Sequence, residues 1–293
     1  MFAILGLLMA GAITPAHAQI TFNTALPVTK GEGILRVQSF YIQSTEDPSP
    51  MDRELRVWAF PVVGVYGLTE KIALFGVAPI LSKKLDVTTP LGRRTRRTGG
   101  LGDMRFLARY TAYQFDRPGQ TIRFAPFAGL EFPTGEDNDR DELGPLPQTL
   151  QLGSGSWDPI VGTAMTWQTL DWEFDSAVSY KFNMEANNFE FGDVARLDLG
   201  FKYRVFPREI GSGVPGFLYV VLESNLIWQD RNKIDGRDVS GSGGTTWLLD
   251  PGLQYVTRRF VAEGVVKLPM IQNLSGDALE NDFTLVLSFR VNF

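Results

Sequence analysis

The chain ends Asn281-Asp282-Phe283-Thr284-Leu285-Val286-Leu287-Ser288-Phe289-Arg290-Val291-Asn292-Phe293, and the alternation in this stretch decides the fold. Phe283, Leu285, Leu287, Phe289, Val291 and Phe293 share one face, and Thr284, Val286, Ser288, Arg290 and Asn292 share the other. Successive side chains of a strand point to opposite faces. The first set can therefore meet lipid while the second meets water or a polar lumen. Taken alone, the segment also fits an edge strand of a soluble sandwich, so the rest of the chain has to decide.

Residues 1–18 read as a secretory signal peptide. An apolar run over 2–13 leads to Ala16-His17-Ala18, the small-x-small form that signal peptidase cuts. The run is too short to anchor a protein across a bilayer, and no Lys or Arg precedes it. The mature domain is expected to cover 19–293. The sequence has no cysteine, and its one histidine, His17, lies inside that signal. Disulfides, thiolate or His-ligated metal sites, and Ser-His-Asp or Cys-His catalysis are thereby excluded from the mature domain. No catalytic residue, metal site or cofactor is assigned, and an enzyme is not expected. The formal charge of −5 suggests no nucleic-acid partner. No stretch after the signal is apolar enough for a spanning helix. Export, 12% aromatic residues and 30 glycines nevertheless call for one account, and a β-barrel supplies it because its strands hide apolar character in alternation.

The chain repeats the alternation throughout. Residues 33–44 set Leu35, Val37, Ser39 and Tyr41 against Arg36, Gln38 and Phe40; residues 55–67 set Leu55, Val57, Ala59 and Val63 against Arg56, Trp58 and Tyr66. A brief turn leads to a segment at 72–84. The next connection is long and basic, with Arg93-Arg94-Thr95-Arg96-Arg97, and reads as a solvated external loop. Segments at 104–114 and 122–132 flank the tight turn Arg117-Pro118-Gly119. A second long connection, 133–156, is acidic over 136–142 and then rich in Gly, Pro and Leu. Segments at 157–169 and 172–184 flank a very short turn. Those near 195–205, 217–228, 247–257 and 260–270, with the terminal strand, bring the total to about twelve, and the connections alternate long and short. The expected fold is all-β: a transmembrane, antiparallel, up-and-down β-barrel of about twelve strands behind a cleaved signal peptide, located in the cell outer membrane.

Charges within the strands fall mostly on the parity opposite the apolar face, as they must if an Arg or Lys facing lipid at mid-depth costs about 2–4 kcal/mol. Arg36, Arg56, Arg196, Asp198, Lys202, Arg204 and Asp250 are read as lumenal. The candidates for lumenal selectivity are Arg105, Arg109, Arg123, Glu131, Glu173, Asp175, Lys181, Glu223, Glu263, Lys267 and Arg290. Arg105 and Arg109, with Arg123 on the hairpin partner, are expected to form one positive patch able to attract carboxylates or phenolates. Glu131, Glu173 and Asp175 could neutralise it instead, so ion pairing as structural support stands beside selectivity. Tyr41, Tyr110, Trp167, Trp172, Tyr180, Tyr203 and Tyr255 are read as interfacial girdles.

Three connections could carry chemistry of their own. The Arg93 to Arg97 run could hold lipopolysaccharide phosphate, and the acidic 136–142 stretch could hold a divalent cation. Both read first as solvated loops. Gly153-Ser154-Gly155-Ser156 superficially resembles part of a nucleophile elbow, but without a histidine base it reads as a flexible connection.

Gly100-Leu101-Gly102-Asp103-Met104-Arg105, Gly153-Ser154-Gly155-Ser156-Trp157-Asp158-Pro159, Glu263-Gly264-Val265-Val266-Lys267-Leu268-Pro269 and the terminal Phe together resemble the outer-membrane family described as "putative MetA-pathway of phenol degradation". The resemblance implies a single barrel that helps aromatic or other hydrophobic compounds cross the outer membrane. It carries over no catalytic residue. The terminal alternation with Phe289, Val291 and Phe293 also resembles the signal read by the Gram-negative barrel-assembly machinery. The expected function is passive passage of small, aromatic or hydrophobic solutes; the alternative is a structural or adhesive barrel with a plugged lumen, acting through its external loops. Expected partners are outer-membrane lipid and lipopolysaccharide, the assembly machinery, and a solute the sequence does not identify.

Overall fold

The computed structural model describes Thr21 and residues 24–90, 92–209 and 216–293. The expected signal at 1–18 lies outside these residues. Twelve strands form one closed antiparallel barrel. They are β1 (Gly33–Ser44), β2 (Glu54–Gly67), β3 (Ile72–Thr89), β4 (in three segments, Gly92–Leu101, Met104–Tyr110 and Tyr113–Arg117), β5 (Gln120–Phe132) and β6 (Asp158–Thr169). The second half comprises β7 (Trp172–Lys181), β8 (Val194–Phe206), β9 (Phe217–Gln229), β10 (Gly244–Val256), β11 (Phe260–Leu274) and β12 (Phe283–Asn292). Each strand pairs with its neighbours in sequence, and β12 closes on β1 with Arg290 opposite Arg36 and Val291 opposite Leu35. Closure leaves no unpaired sheet edge, the condition for a sheet to cross hydrocarbon.

Most connections sort by length onto the two ends of the barrel; the short link from Thr89 to Gly92 at one end and the longer one from Phe206 to Phe217 at the other depart from the pattern. Short turns at 68–71, Pro118-Gly119, 170–171 and 257–259 share one end with the start of β1 and the end of β12. The longer connections 45–53, 133–157, 182–193, 230–243 and 275–282 share the other. Barrels of this class keep short turns periplasmic and long loops outside the cell, which sets the orientation used below.

The alternation places side chains as the sequence predicts except on β2, where Leu55, Val57, Ala59 and Val63 face inward and Trp58 outward. Leu74, Ile80, Phe106, Leu197, Val220, Leu222, Leu268 and Leu287 face outward and are exposed, whereas Arg105, Glu131, Asp175, Lys202, Glu223 and Asp250 are buried inside. Near the outer end, Tyr41 packs on Trp58 and Phe132 on Trp157. At the periplasmic end, Trp167 packs on Trp172 and Tyr255 on Phe260. Amphipathic rings of this kind belong at a lipid interface.

Two expectations about the outer end need correction. The Arg93 to Arg97 run is not a loop: β3 continues to Thr89 and Gly92–Leu101 returns along it, with Lys84 opposite Arg97 and Asp86 opposite Thr95. Its alternation of charged and Thr residues lacks an apolar face, so the run looks like a loop in sequence, but the ladder to β3 supplies its backbone pairing. Arg56 is not lumenal: it lies on the outward face of β2, bonded to Glu54 at 2.9 Å and near Asp86, next to Trp58 on the same face. Close to the interface the cost of an outward cation falls to about 0–1 kcal/mol, so parity alone does not exclude it.

Candidate functional site: the barrel lumen

All eleven candidate lumenal residues sit on the inward parity of their strands, and most are engaged by other side chains of the barrel wall. In the outer half, Glu131 of β5 accepts from both Arg105 of β4 and Lys181 of β7, the latter at 2.7 Å, and Lys181 also lies 3.4 Å from Asp158. At mid-depth, Lys267 of β11 bonds Asp250 of β10 at 2.8 Å and donates to Asn225 of β9. Glu263 takes Arg36 at 2.6 Å, Ser288 at 2.8 Å and Gln254 at 2.6 Å. Lys202 holds Glu173 at 2.6 Å, and Thr166 donates to Asp175. These contacts each tie two to four strands together and lock the wall of the barrel, because a buried charge is tolerated only when paired.

The single positive patch of Arg105, Arg109 and Arg123 does not form. Four residues of strand, about 13 Å, separate the first two. Arg105 turns to Glu131, and Arg123 turns to Asp116 at the periplasmic rim. Arg109 instead donates to the backbone carbonyls of Thr24 and Leu26.

That contact exposes what sequence reasoning missed. Ahead of β1, Thr21 and residues 24–32 lie inside the barrel as an N-terminal strap. It starts where the Gly31 amide donates to the Gly67 carbonyl and the Gly67 amide donates to the Glu32 carbonyl. Gly67 is required there, since a Cβ would sit 2.1 Å from the Thr29 carbonyl oxygen. Val28 packs on Ala73, Phe75 and Leu107. Ala25 packs on Ala125, Ala164 and Ala177, which are direct neighbours across β5, β6 and β7. The amide of Ala25 donates to Thr166 at 2.9 Å. Higher up, the Thr21 amide donates to Glu223 at 3.0 Å, and its hydroxyl bonds Glu223 and Asn225. Three inward alanines at matching register leave a shallow groove for a backbone, a signal readable only once the pairing is known.

The outer mouth is narrowed by the 133–157 connection, which folds inward. Leu146 and Leu150 pack on Leu55, Val57, Leu85 and Leu279, and Lys83 donates to the carbonyls of Thr149 and Gln151 at 3.2 and 2.5 Å. Gly153-Ser154-Gly155-Ser156 is not a flexible connection. Asp103, in the break between two segments of β4, accepts from the Ser154 amide at 2.6 Å and from the Gly135 amide at 2.9 Å, and Ser156 donates to Asp158 at 2.7 Å. The acidic stretch is likewise engaged: Asp137 accepts from Asn187, Asp139 from Thr98 and Asp141 from Arg96. In the 45–53 loop, burial pushes the Asp47 carboxyl up, but bonds from Arg53 and Ser49 outweigh it and hold the group at about 2. Cavities among the described residues lie at both ends of the lumen. An outer one of about 110 Å³ is bordered by Lys83, Asp103, Arg105, Glu131 and Lys181. A periplasmic one of about 300 Å³ lies between the strap and Arg36, Glu173, Lys202 and Arg290.

The sequence pattern of one protein family, described as "Putative MetA-pathway of phenol degradation", matches residues 50–262. Among solved structures, an outer membrane channel from Pseudomonas putida F1 superposes with a TM-score of 0.69 at 17% identity, covering 92% of this chain and 98% of that one. The β domain of the Bordetella autotransporter BrkA (TM-score 0.47, 12% identity, 90% and 100% covered) is less similar. So is the translocator domain of NalP from Neisseria meningitidis (0.44, 10%, 91% and 90%). The first likeness establishes the fold, and the other two are too slight to carry an argument. Comparison with curated protein sequences returns no match.

Proposed function

This chain belongs to that phenol-degradation family of outer-membrane proteins, and from that premise we propose that it is a passive channel that rests closed and opens when its N-terminal strap leaves the lumen. The observation that carries this reading is the strap itself. A charged, paired inner wall gives small solutes a polar path, and a barrel of this strand number has room for little more than side chains and one thin segment. The Pseudomonas putida protein with the same fold is titled a channel, in keeping with this reading. Solute choice then falls to the lumenal cations and acids at the two cavities, and no energy source is needed.

The surroundings follow from the outward face. The row Arg56, Lys84 and Arg97 across β2, β3 and β4 stands above the apolar band and suits lipopolysaccharide phosphates. Phe289, Val291 and Phe293 offer the assembly machinery an exposed aromatic edge.

The ordered loops and the occupied lumen also favour a second reading, a plugged barrel acting through its loops. Swelling of liposomes containing the mature protein, with neutral and anionic solutes of increasing size, separates the two. Entry of small solutes with a sharp size limit supports the channel. If liposomes stay inert both with the intact protein and after the strap is removed, the plugged barrel is correct.

A further inference from the structure

Among the described residues, Arg290 is a lumenal cation that the ion pairs leave over. On one side of β12 its neighbour in register is Arg36, and on the other it is Val261. Like charges directly opposite each other destabilise a sheet. Arg36 is already engaged by Glu263 and Ser288, and Lys202 by Glu173. Among the described residues, Arg290 has no ion pair or hydrogen bond, and its Nε is buried without an acceptor. Arg290 is half-buried, and its nearest acids, Glu263 and Glu173, are each held by another cation, so its guanidinium donors stay open to an anion that shares the space.

The space is present. Arg290 borders the periplasmic cavity of about 300 Å³, whose border also includes Ile34, Val63, Val65, Phe75 and Val256. Four cationic side chains (Arg36, Arg109, Lys202 and Arg290) and two acidic ones (Glu32 and Glu173) line it. A guanidinium matches a carboxylate through paired donors, while the apolar wall rewards a hydrocarbon body rather than a hydrated inorganic ion.

We propose that this cavity is a binding site for a small organic monoanion, a carboxylate on a compact apolar body, held by Arg290 with its body against Val63, Val65 and Phe75. The role of the site in transport rests on the channel reading above; the binding itself does not.

The test is calorimetric titration of the folded, detergent-solubilised mature protein with benzoate, benzamide and inorganic phosphate, beside bilayer recordings on the same preparation. Benzoate is expected to bind one to one, with benzamide and phosphate much weaker. Arg290→Gln should weaken benzoate at least about tenfold, Arg290→Lys should weaken it less, and Arg97→Gln should leave it unchanged. Heat-modifiable gel mobility checks that each variant folds. Absence of benzoate binding, equal binding by benzamide or phosphate, or unchanged binding in a folded Arg290→Gln protein would overturn the proposal. Arg290-dependent binding by a protein that never conducts, even without its strap, supports the site and sinks the channel. Conductance without benzoate binding does the reverse.

Discussion

Replacing Arg109 with Met should open the barrel. Arg109 holds the strap by two bonds to backbone carbonyls, those of Thr24 and Leu26, with its guanidinium over the Phe75 ring, and Met keeps a long apolar side chain in the same space without the donors. Hydrogen bonds to a charged group contribute about 1.5–3 kcal/mol each, so losing both removes about 3–6 kcal/mol from the closed state. Inverting a 99:1 preference takes about 5.5 kcal/mol, so the loss is large enough to move the resting state from mostly closed to substantially open. The assay is open probability in planar bilayers, with Arg109→Lys as control because it keeps the lumenal charge but not the paired donors. The order expected is Met above Lys above the native protein, with Met raised by about a hundredfold or more until it saturates. If open probability in a folded Arg109→Met protein stays within about threefold of native, the strap is not held by these bonds and the gating argument fails.

Gly67→Ala should also loosen the strap without altering any charge, because the new Cβ would crowd the Thr29 and Val28 carbonyl oxygens at 2.1 and 2.8 Å; an unchanged open probability would count against it. Glu131→Gln leaves Arg105 and Lys181 facing each other in the outer lumen and should cost about 3–5 kcal/mol, read as a lower urea midpoint that Lys181→Met partly restores; a native midpoint would mean the pair is not buried as described. The depressed Asp47 value gives a pH prediction. A carboxyl whose folded value lies below the unfolded one contributes fully above about pH 4 and loses its contribution as pH falls toward 2. The Ser49 and Arg53 amides, which donate to Asp47 at 3.0 and 2.6 Å, should therefore stay protected from hydrogen exchange at pH 3 and lose protection as pH falls through about 2. Loss already near pH 4 would contradict this.

The barrel was legible because lipid imposes a rule on every other residue. Leu285, Leu287 and Phe289 cannot change face without placing Ser288 or Arg290 in hydrocarbon, so period and register are written together. Arg56 escaped the rule because the penalty fades at the interface. The Gly92–Leu101 strand escaped it because it stands clear of the apolar band, with Arg93 and Arg97 outward. The strap was not legible at all. Residues 24–32 show neither period two nor helical spacing, and their binding groove of Ala125, Ala164 and Ala177 is assembled from three separate strands. Residue type and parity identified the lumenal charges, but which charge pairs with which depends on strand stagger. This is why Arg105, Arg109 and Arg123 read as one patch and fold as three separate sites.

The claim that the strap closes a channel is tested most directly by single-channel recording from the mature protein beside a chain lacking residues 19–31. The account predicts rare, brief openings in the first and long-lived steps of uniform size in the second. Equal open probability in the two, or silence from a folded strapless barrel, would contradict it.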